Sequence, residues 1–292
     1  MRSEPVAVRV AHGRWGLLVI PSLLALGVLF VAPQLFLVAQ SLHPNLGAAR
    51  VGTGWTLANY TKIFTDSYYF DTLLRTVWLS ALGTFFCLLL GYPLAYFLAR
   101  TESRARGWLT LLVLAPLLIT VVVRSLGWII MLSDNGPVNF LLLLTGITDA
   151  PVRFIYNELG VIIGLVHAFL PMMVVILLGV IRRIDPSLEH AAADLGAGRV
   201  QTLARVVIPL SLPGIAAGCI LIFGVMGSTY TTTAMLGGGK VLTTPIQIAQ
   251  EFQMTLNFPV AAALSVVIAG VTFGLAFIGL KVSRARYLDT AL

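Results

Sequence analysis

Charge is scarce in this chain. Asp, Glu, Lys and Arg make up 11% of its 292 residues, and hydrophobic side chains 58%. A soluble domain carries about 25% charged residues. A deficit of that size excludes a water-soluble core and puts the chain in a lipid bilayer. Cysteine is nearly absent as well. Cys87 and Cys219 both fall in apolar runs, which reads as two small apolar fillers, with a pairing between them left open. The four histidines, His12, His43, His167 and His190, are scattered and show no His-x-x-x-His spacing, so no metal site is expected. No G-x-x-x-x-G-K-[ST] phosphate loop is present. The nearest stretch, Gly239-Lys240, is followed by Val241 and has Ala234 where the first glycine belongs. An enzyme acting alone is therefore not expected, and neither is nucleotide bound by this chain. The net charge of +7 also gives no case for nucleic acid, because most bases flank oily runs, where they orient helices.

The chain does contain long apolar runs. A helix needs about 20 apolar residues to cross ~30 Å of hydrocarbon. Six runs qualify: Trp15 to Leu42, Thr76 to Ala99, Trp108 to Ser133 (interrupted by Arg124), Leu159 to Ile181, Val206 to about Leu236, and Pro259 to Leu280. Continuous runs of this strength predict helices. Transmembrane barrels show weak alternating segments of about 10 residues. The first run is much longer than the 7–15 residues or so of a secretion-signal core, so a retained helix is expected. The fold class is all-α: a polytopic membrane protein of six spans.

Lys and Arg set the expected orientation. With the N-terminus inside, thirteen of them fall on inside segments and five outside. The positive-inside rule then puts both termini in the cytoplasm. The organisation reads as a tail over 1–14, a six-helix domain over 15–281 with a cytoplasmic loop at 182–205, and a tail over 282–292.

That loop carries a short helix. Asp185 is placed to cap it, with Pro186 at the first helical position, where a missing N–H costs nothing. Leu188, Ala191, Ala192 and Leu195 recur at i, i+3, i+4 and i+7 and form one stripe. Gly196 and Gly198 supply the left-handed stop. Pro209 and Pro213 then bend the chain into the fifth span. A helix of two to three turns does not stand alone in water. It either packs back on its own membrane domain or docks on a cytoplasmic partner, and composition leaves both readings open.

At these residues the chain resembles the permease subunits of binding-protein-dependent ABC importers. Their loop motif has the form E-A-A, three residues, G, nine residues, I-x-L-P. Here His190, Ala191, Ala192, Gly196, Val206, Ile208 and Pro209 occupy it, with His190 where the family has glutamate and Glu189 just before. "GYPLAYFLAR" (91–100), "VVVRSLGWIIML" (121–132) and "TTAMLGGGK" (232–240) are similar to spermidine/putrescine-type permeases. The resemblance implies a type I importer permease fold with a cytoplasmic coupling helix, in the bacterial inner membrane. The implied partners are a second permease subunit (a paralogue), two ABC ATPase subunits and a periplasmic or lipid-anchored binding protein. ATP and magnesium would sit on the ATPases, and this chain would hold no cofactor. Glu189, His190, Ala191, Ala192, Asp194, Leu195 and Gly196 would make the ATPase contact. The implied solute is polyamine-like or another small amino compound; an opine, aminoethylphosphonate or an iron complex are alternatives. A secondary transporter would need ionisable coupling groups at mid-membrane, and a channel a recognisable filter; neither is evident.

Two features suggest a path for solute. The run Ser228 to Thr233 has six consecutive hydroxyls, costly against lipid if unpaired. Ser228, Tyr230, Thr231 and Thr232 are candidates for an outer polar lining, and bonding back into the helix is the alternative. Arg124 is ionised within a span. Counting ~24 Å from Trp108 puts it near the outer surface, with Asp134 or Glu158 in reach, as a structural ion pair, a snorkelling charge or a gate. Gly160/Gly164, Gly214/Gly218 and Gly270/Gly274 have the four-residue spacing of close helix packing, read as packing within the subunit.

Overall fold

The computed structural model describes residues 12–47 and 49–289. The expected N-terminal tail, up to residue 11, and residues 290–292 lie outside the described residues. In chain order the helices are α1 (His12–Ser41), α2 (Ala58–Thr65), α3 (Ser67–Arg100), α4 (Arg106–Leu114), α5 (Val121–Leu132), α6 (Pro137–Leu144), α7 (Glu158–Ile181), α8 (Pro186–Asp194), α9 (Arg199–Thr202), α10 (Ile208–Gly227), α11 (Thr231–Gly237), α12 (Thr244–Gln253) and α13 (Phe258–Asp289). A 3₁₀ turn fills Ala115–Leu118 and a π turn Leu203–Val207. Outside the helices, Asn45 and Val51 form an isolated antiparallel bridge.

Six membrane-length apolar segments are present among the described residues: Val19–Ser41, Ser67–Arg100, Val121–Leu144, Glu158–Ile181, Arg199–Gly227 and Phe258–Gly279. Five overlay the runs read from sequence. The third is a correction. Trp108 to Ser133 is not one continuous helix: α4 gives way to the 3₁₀ turn at Pro116, Ile119 and Thr120 are extended, and α5 begins anew with the Thr120 hydroxyl accepting from Val123 N–H. Proline lacks an N–H and disfavours helix in the residue before it. The membrane-length segment thus shifts to α5 plus α6, joined by a turn at 133–136. α3 is also longer than expected, starting nine residues before Thr76, because Asp66 caps it by accepting from Tyr68 N–H.

The core forms where α3, α7 and α10 meet, with Leu79, Cys87, Leu165, Met173, Leu177, Ile222 and Met226 all buried. The cysteines are free. Two glycine pairs do what their spacing suggests. A Cβ on Gly164 would enter Leu236 of α11, and one on Gly214 would enter Val180 of α7. The third pair does not, since Gly270 and Gly274 face open space within this chain. Gly164→Val is accordingly expected to destabilise the detergent-solubilised protein by about 1–3 kcal/mol, the usual range for overpacking. Gly270→Val should leave the melting temperature of the isolated chain near that of wild type, and thermal unfolding of the two variants side by side checks the contrast.

Candidate functional site

At the end of the bundle where α3 and α7 finish, the segment after α7 leaves the membrane helices and forms α8 and α9. Asp185 caps α8, accepting from Ser187 N–H at 2.9 Å, and Pro186 opens the helix. That donation holds the Asp185 carboxyl below its ordinary range. A depressed carboxylate stabilises the fold above its unfolded pKa and loses that contribution as pH falls through the lower, folded value. The cap is therefore complete at neutral pH, and acidification should fray the first turn of α8. The helix ends in a Schellman turn: Gly196 N–H donates to Ala193 O and Ala197 N–H to Ala192 O. Gly196 has φ +85°, which explains the glycine. Gly198 does not share that role, because its φ is −71° and it leads into α9.

Of the predicted docking residues, His190, Ala191, Asp194, Leu195 and Gly196 are exposed, and Ala192 is half-buried. Leu195 is 90% exposed and Val200 81%, so two bulky apolar groups project beyond the chain's own surface. Glu189 points the other way. Arg100 Nε donates to Glu189 Oε1 at 2.6 Å, with Arg100 Nη2 at the same distance from that oxygen, and the Tyr96 hydroxyl donates to Oε2 at 2.7 Å. Arg100 Nη2 also donates to the Ile184 carbonyl at 3.0 Å. Both charged side chains are mostly buried, at 18% and 15% exposed. The expectation that Glu189 faces a partner is thus corrected: two donors on α3 satisfy it inside the chain. A cavity of about 510 Å³ lies beside this contact, bordered by Phe97, Ala193 and Arg199.

Arg124 is also relocated. Its Nη1 lies 3.4 Å from the Ala168 carbonyl, and Ala168 is ten residues into α7, or ~15 Å from that helix's start. The guanidinium is at mid-depth, not at an end. The break at Ile119–Thr120 invalidates the count from Trp108, which assumed continuous helix. Neither expected acid pairs with it, and Glu158 binds Arg75 at 3.1 Å instead. Arg124 Nε is buried without a partner. Its neighbour Trp128 meets His167 edge-on, with ring centres 5.3 Å apart.

The hydroxyl run divides. Ser228 and Thr229 donate back to Val225 O, and Thr233 to Thr229 O and Tyr230 O. Ser228 and Tyr230 are exposed and Thr231 is half-buried. Thr232 is 2% exposed, and its methyl faces Gly164, so it packs between helices and does not border an open surface.

One polar cluster escaped the sequence reading. On α3 the hydroxyls of Thr72, Thr76, Ser80 and Thr84 each donate to the carbonyl four residues back, at 2.7 Å. α12 lies across the upper part of this ladder: Thr244 N–H donates to Thr76 Oγ1 at 2.7 Å, and Tyr69 donates to Glu251 Oε1 at 2.5 Å. Thr255 donates to Glu251 Oε2 at 2.5 Å. Glu251 is 6% exposed, a buried acid on the far side from α8. The signal was available, since Thr244, Gln247 and Glu251 fall at i, i+3 and i+7, a polar helical stripe in a segment that the apolar runs leave unassigned.

The sequence pattern of the family described as "Binding-protein-dependent transport system inner membrane component" matches residues 88–287. The chain is 38% identical over 240 residues to the spermidine/putrescine transport system permease protein PotB of Escherichia coli K12, spanning 82% of this chain and 87% of that protein. It is 27% identical over 264 residues to the inner membrane ABC transporter permease protein YdcU of the same organism, spanning 86% and 84%. Among solved structures, a chain of the bacterial alginate ABC transporter in complex with alginate pentasaccharide-bound periplasmic protein shares its fold with a TM-score of 0.76 at 19% identity, covering 93% of this chain and 94% of that one.

Proposed function

The chain belongs to the binding-protein-dependent transport system inner membrane components, as a permease subunit of an ABC importer with the type I fold, and on that premise we propose that it forms half of the path for a polyamine or polyamine-like solute. The 38% identity to a spermidine/putrescine permease over most of both chains carries this choice. A periplasmic or lipid-anchored binding protein delivers the solute, a paralogous permease completes the path, and two ATPase subunits hold the ATP and magnesium. The protein is a multi-pass inner membrane protein. The excess of Lys and Arg on the segments flanking α8 supports a cytoplasmic position for that end and for both termini.

The ATPase docks on the outward face of α8. The supporting observation is the exposed stripe of Ala191, Leu195 and, further on, Val200, on a helix too short to persist without support. On the opposite side, Ser228, Tyr230 and Thr231 border the path, and Arg124 acts in it as a gate or selectivity charge. Purification of the binding protein that works with this chain, followed by mass spectrometry of its ligand, tests the solute. The proposal expects spermidine, putrescine or a close diamine, and an aminophosphonate or iron complex would overturn it. Orientation is checked separately. A cysteine at position 195, in a chain with Cys87 and Cys219 replaced, should react with an impermeant maleimide in inside-out vesicles and not in intact spheroplasts.

A further inference from the structure

If α8 receives the ATPase, its displacement must reach the membrane helices, and the loop's contacts decide the route. Covalently, α8 is joined to α7 by the turn at 182–184, and to α10 through the Schellman turn, α9 and the π turn. None of these joints is a continuous α-helix. In the π turn Ile208 N–H reaches back five residues to Leu203 O, an arrangement that often marks functional sites. The stiff contact lies elsewhere. Tyr92, Tyr96 and Arg100 follow one another at four-residue spacing and share one face of α3. Tyr96 and Arg100 together satisfy both oxygens of Glu189 on α8, and Arg100 also caps the Ile184 carbonyl at the loop's entrance. Tyr92 hydrogen-bonds Ser211 of α10 at 2.9 Å, with both residues buried. The end of α3 therefore holds the start of α8, the turn before it and the first turns of α10.

α3 is also long, at 34 residues, or ~51 Å. Its other end is fastened to α12 by Thr76–Thr244 and Tyr69–Glu251. We propose that Arg100 and Tyr96 are positioning residues that lock α8 to α3 through Glu189, making α3 the lever that carries motion from the ATPase contact to the polar α12 cluster across the membrane. Charge-assisted hydrogen bonds in a mostly dry site resist distortion more than neutral ones, so α8 and α3 move as one body. The inference rests on the reading that α8 docks on the ATPase, and it adds where the motion goes next.

The test uses the whole transporter, reconstituted in liposomes with its ATPase and binding protein. Glu189→Gln and Arg100→Met should each lower uptake and binding-protein-stimulated ATP hydrolysis by roughly 5–150-fold, the range of site-to-site coupling, while the ATPase co-purifies in wild-type ratio. The exchange Glu189→Arg with Arg100→Glu should restore much of the uptake, because the two side chains act through each other, and the wild-type ATPase ratio in the single variants separates this from a loss of folding. Tyr96→Phe, which removes one hydroxyl and keeps the ring, serves if the charge variants fail to assemble, and should give an intermediate loss. Spin labels on α8 and on the end of α3 should keep a constant separation between nucleotide-free and ATP-trapped states. Normal uptake in Glu189→Gln, no rescue by the exchange, normal uptake in Tyr96→Phe, or a separation that changes with nucleotide would each overturn the lever. Loss of the ATPase from Glu189→Gln would show that this carboxylate faces the partner, which overturns it too. Failure of the docking reading looks different: there Ala191→Trp would retain both ATPase and uptake.

Discussion

Replacing Ala191 with tryptophan is expected to abolish uptake while the membrane domain folds and inserts as before. Ala191 is exposed on α8, with Ala192 beside it and Leu195 one turn on. A helix face this small fits a close-fitting groove, and an indole would hold the two surfaces apart. Truncating or blocking one central residue of such an interface typically costs about 2–4 kcal/mol, or roughly 30–1,000-fold in affinity. The methyl group is exposed, so expression level and thermal unfolding in detergent should match wild type. Gly196→Val should act on the same interface from another direction. With φ at +85° and no atom within 4 Å of an added Cβ, the cost is conformational and not steric, about 1–2 kcal/mol for an L-residue in that region. The Schellman turn would open and re-aim α9 relative to α8. Uptake of labelled spermidine into cells, set against ATPase co-purification, reads both variants.

The second large effect is expected at Arg124. Removing one partner of a buried ion pair is costly because it strands the other. Arg124 has no acidic partner among the described residues, and its Nε is unsatisfied. A charge at mid-bilayer costs at least ~2.5–3.5 kcal/mol by insertion scales. Arg124→Met should therefore insert as well as wild type or better, with unchanged or raised thermal stability. Uptake should nonetheless fall by an order of magnitude or more, since a cost of that size is retained only where the charge is used. A structural ion pair predicts the reverse: a protein that melts earlier, with transport lost only in proportion to the folded fraction. Arg124→Lys separates charge from shape. It keeps the cation and loses the planar group that reaches the Ala168 carbonyl, and intermediate uptake is expected.

How much of this was legible depended on the length scale of the physics involved. Hydrophobic runs report burial in lipid over twenty residues, so five of the six spans and the all-α class followed directly. The third failed at Pro116, because hydropathy counts methyl groups and not backbone donors. Arg124 was misplaced for the same reason, since its depth was measured along a helix that the proline interrupts. The loop was legible in its local chemistry, because Asp185, Pro186 and Gly196 act on their own backbone within a few residues. Glu189 was not. Its wheel position is neutral between facing out and facing in, and what turns it inward is Arg100, 89 positions earlier in the chain. Only the fold brings the two together. Glu251 was missed because it lies between two apolar runs, and hydropathy cannot distinguish a solvated loop from a helix whose polar stripe is buried against another polar stripe.

On the proposed function, the power stroke enters through α8 from a separate nucleotide-hydrolysing protein. The most direct measurement is cross-linking from a cysteine at position 191, in a chain lacking Cys87 and Cys219 and assembled with its partners in native membranes. The account predicts a covalent adduct with the ATPase subunit whose yield changes when ATP is trapped. An adduct only with the extracytoplasmic binding protein, or none with the ATPase in any nucleotide state while uptake proceeds, would contradict it.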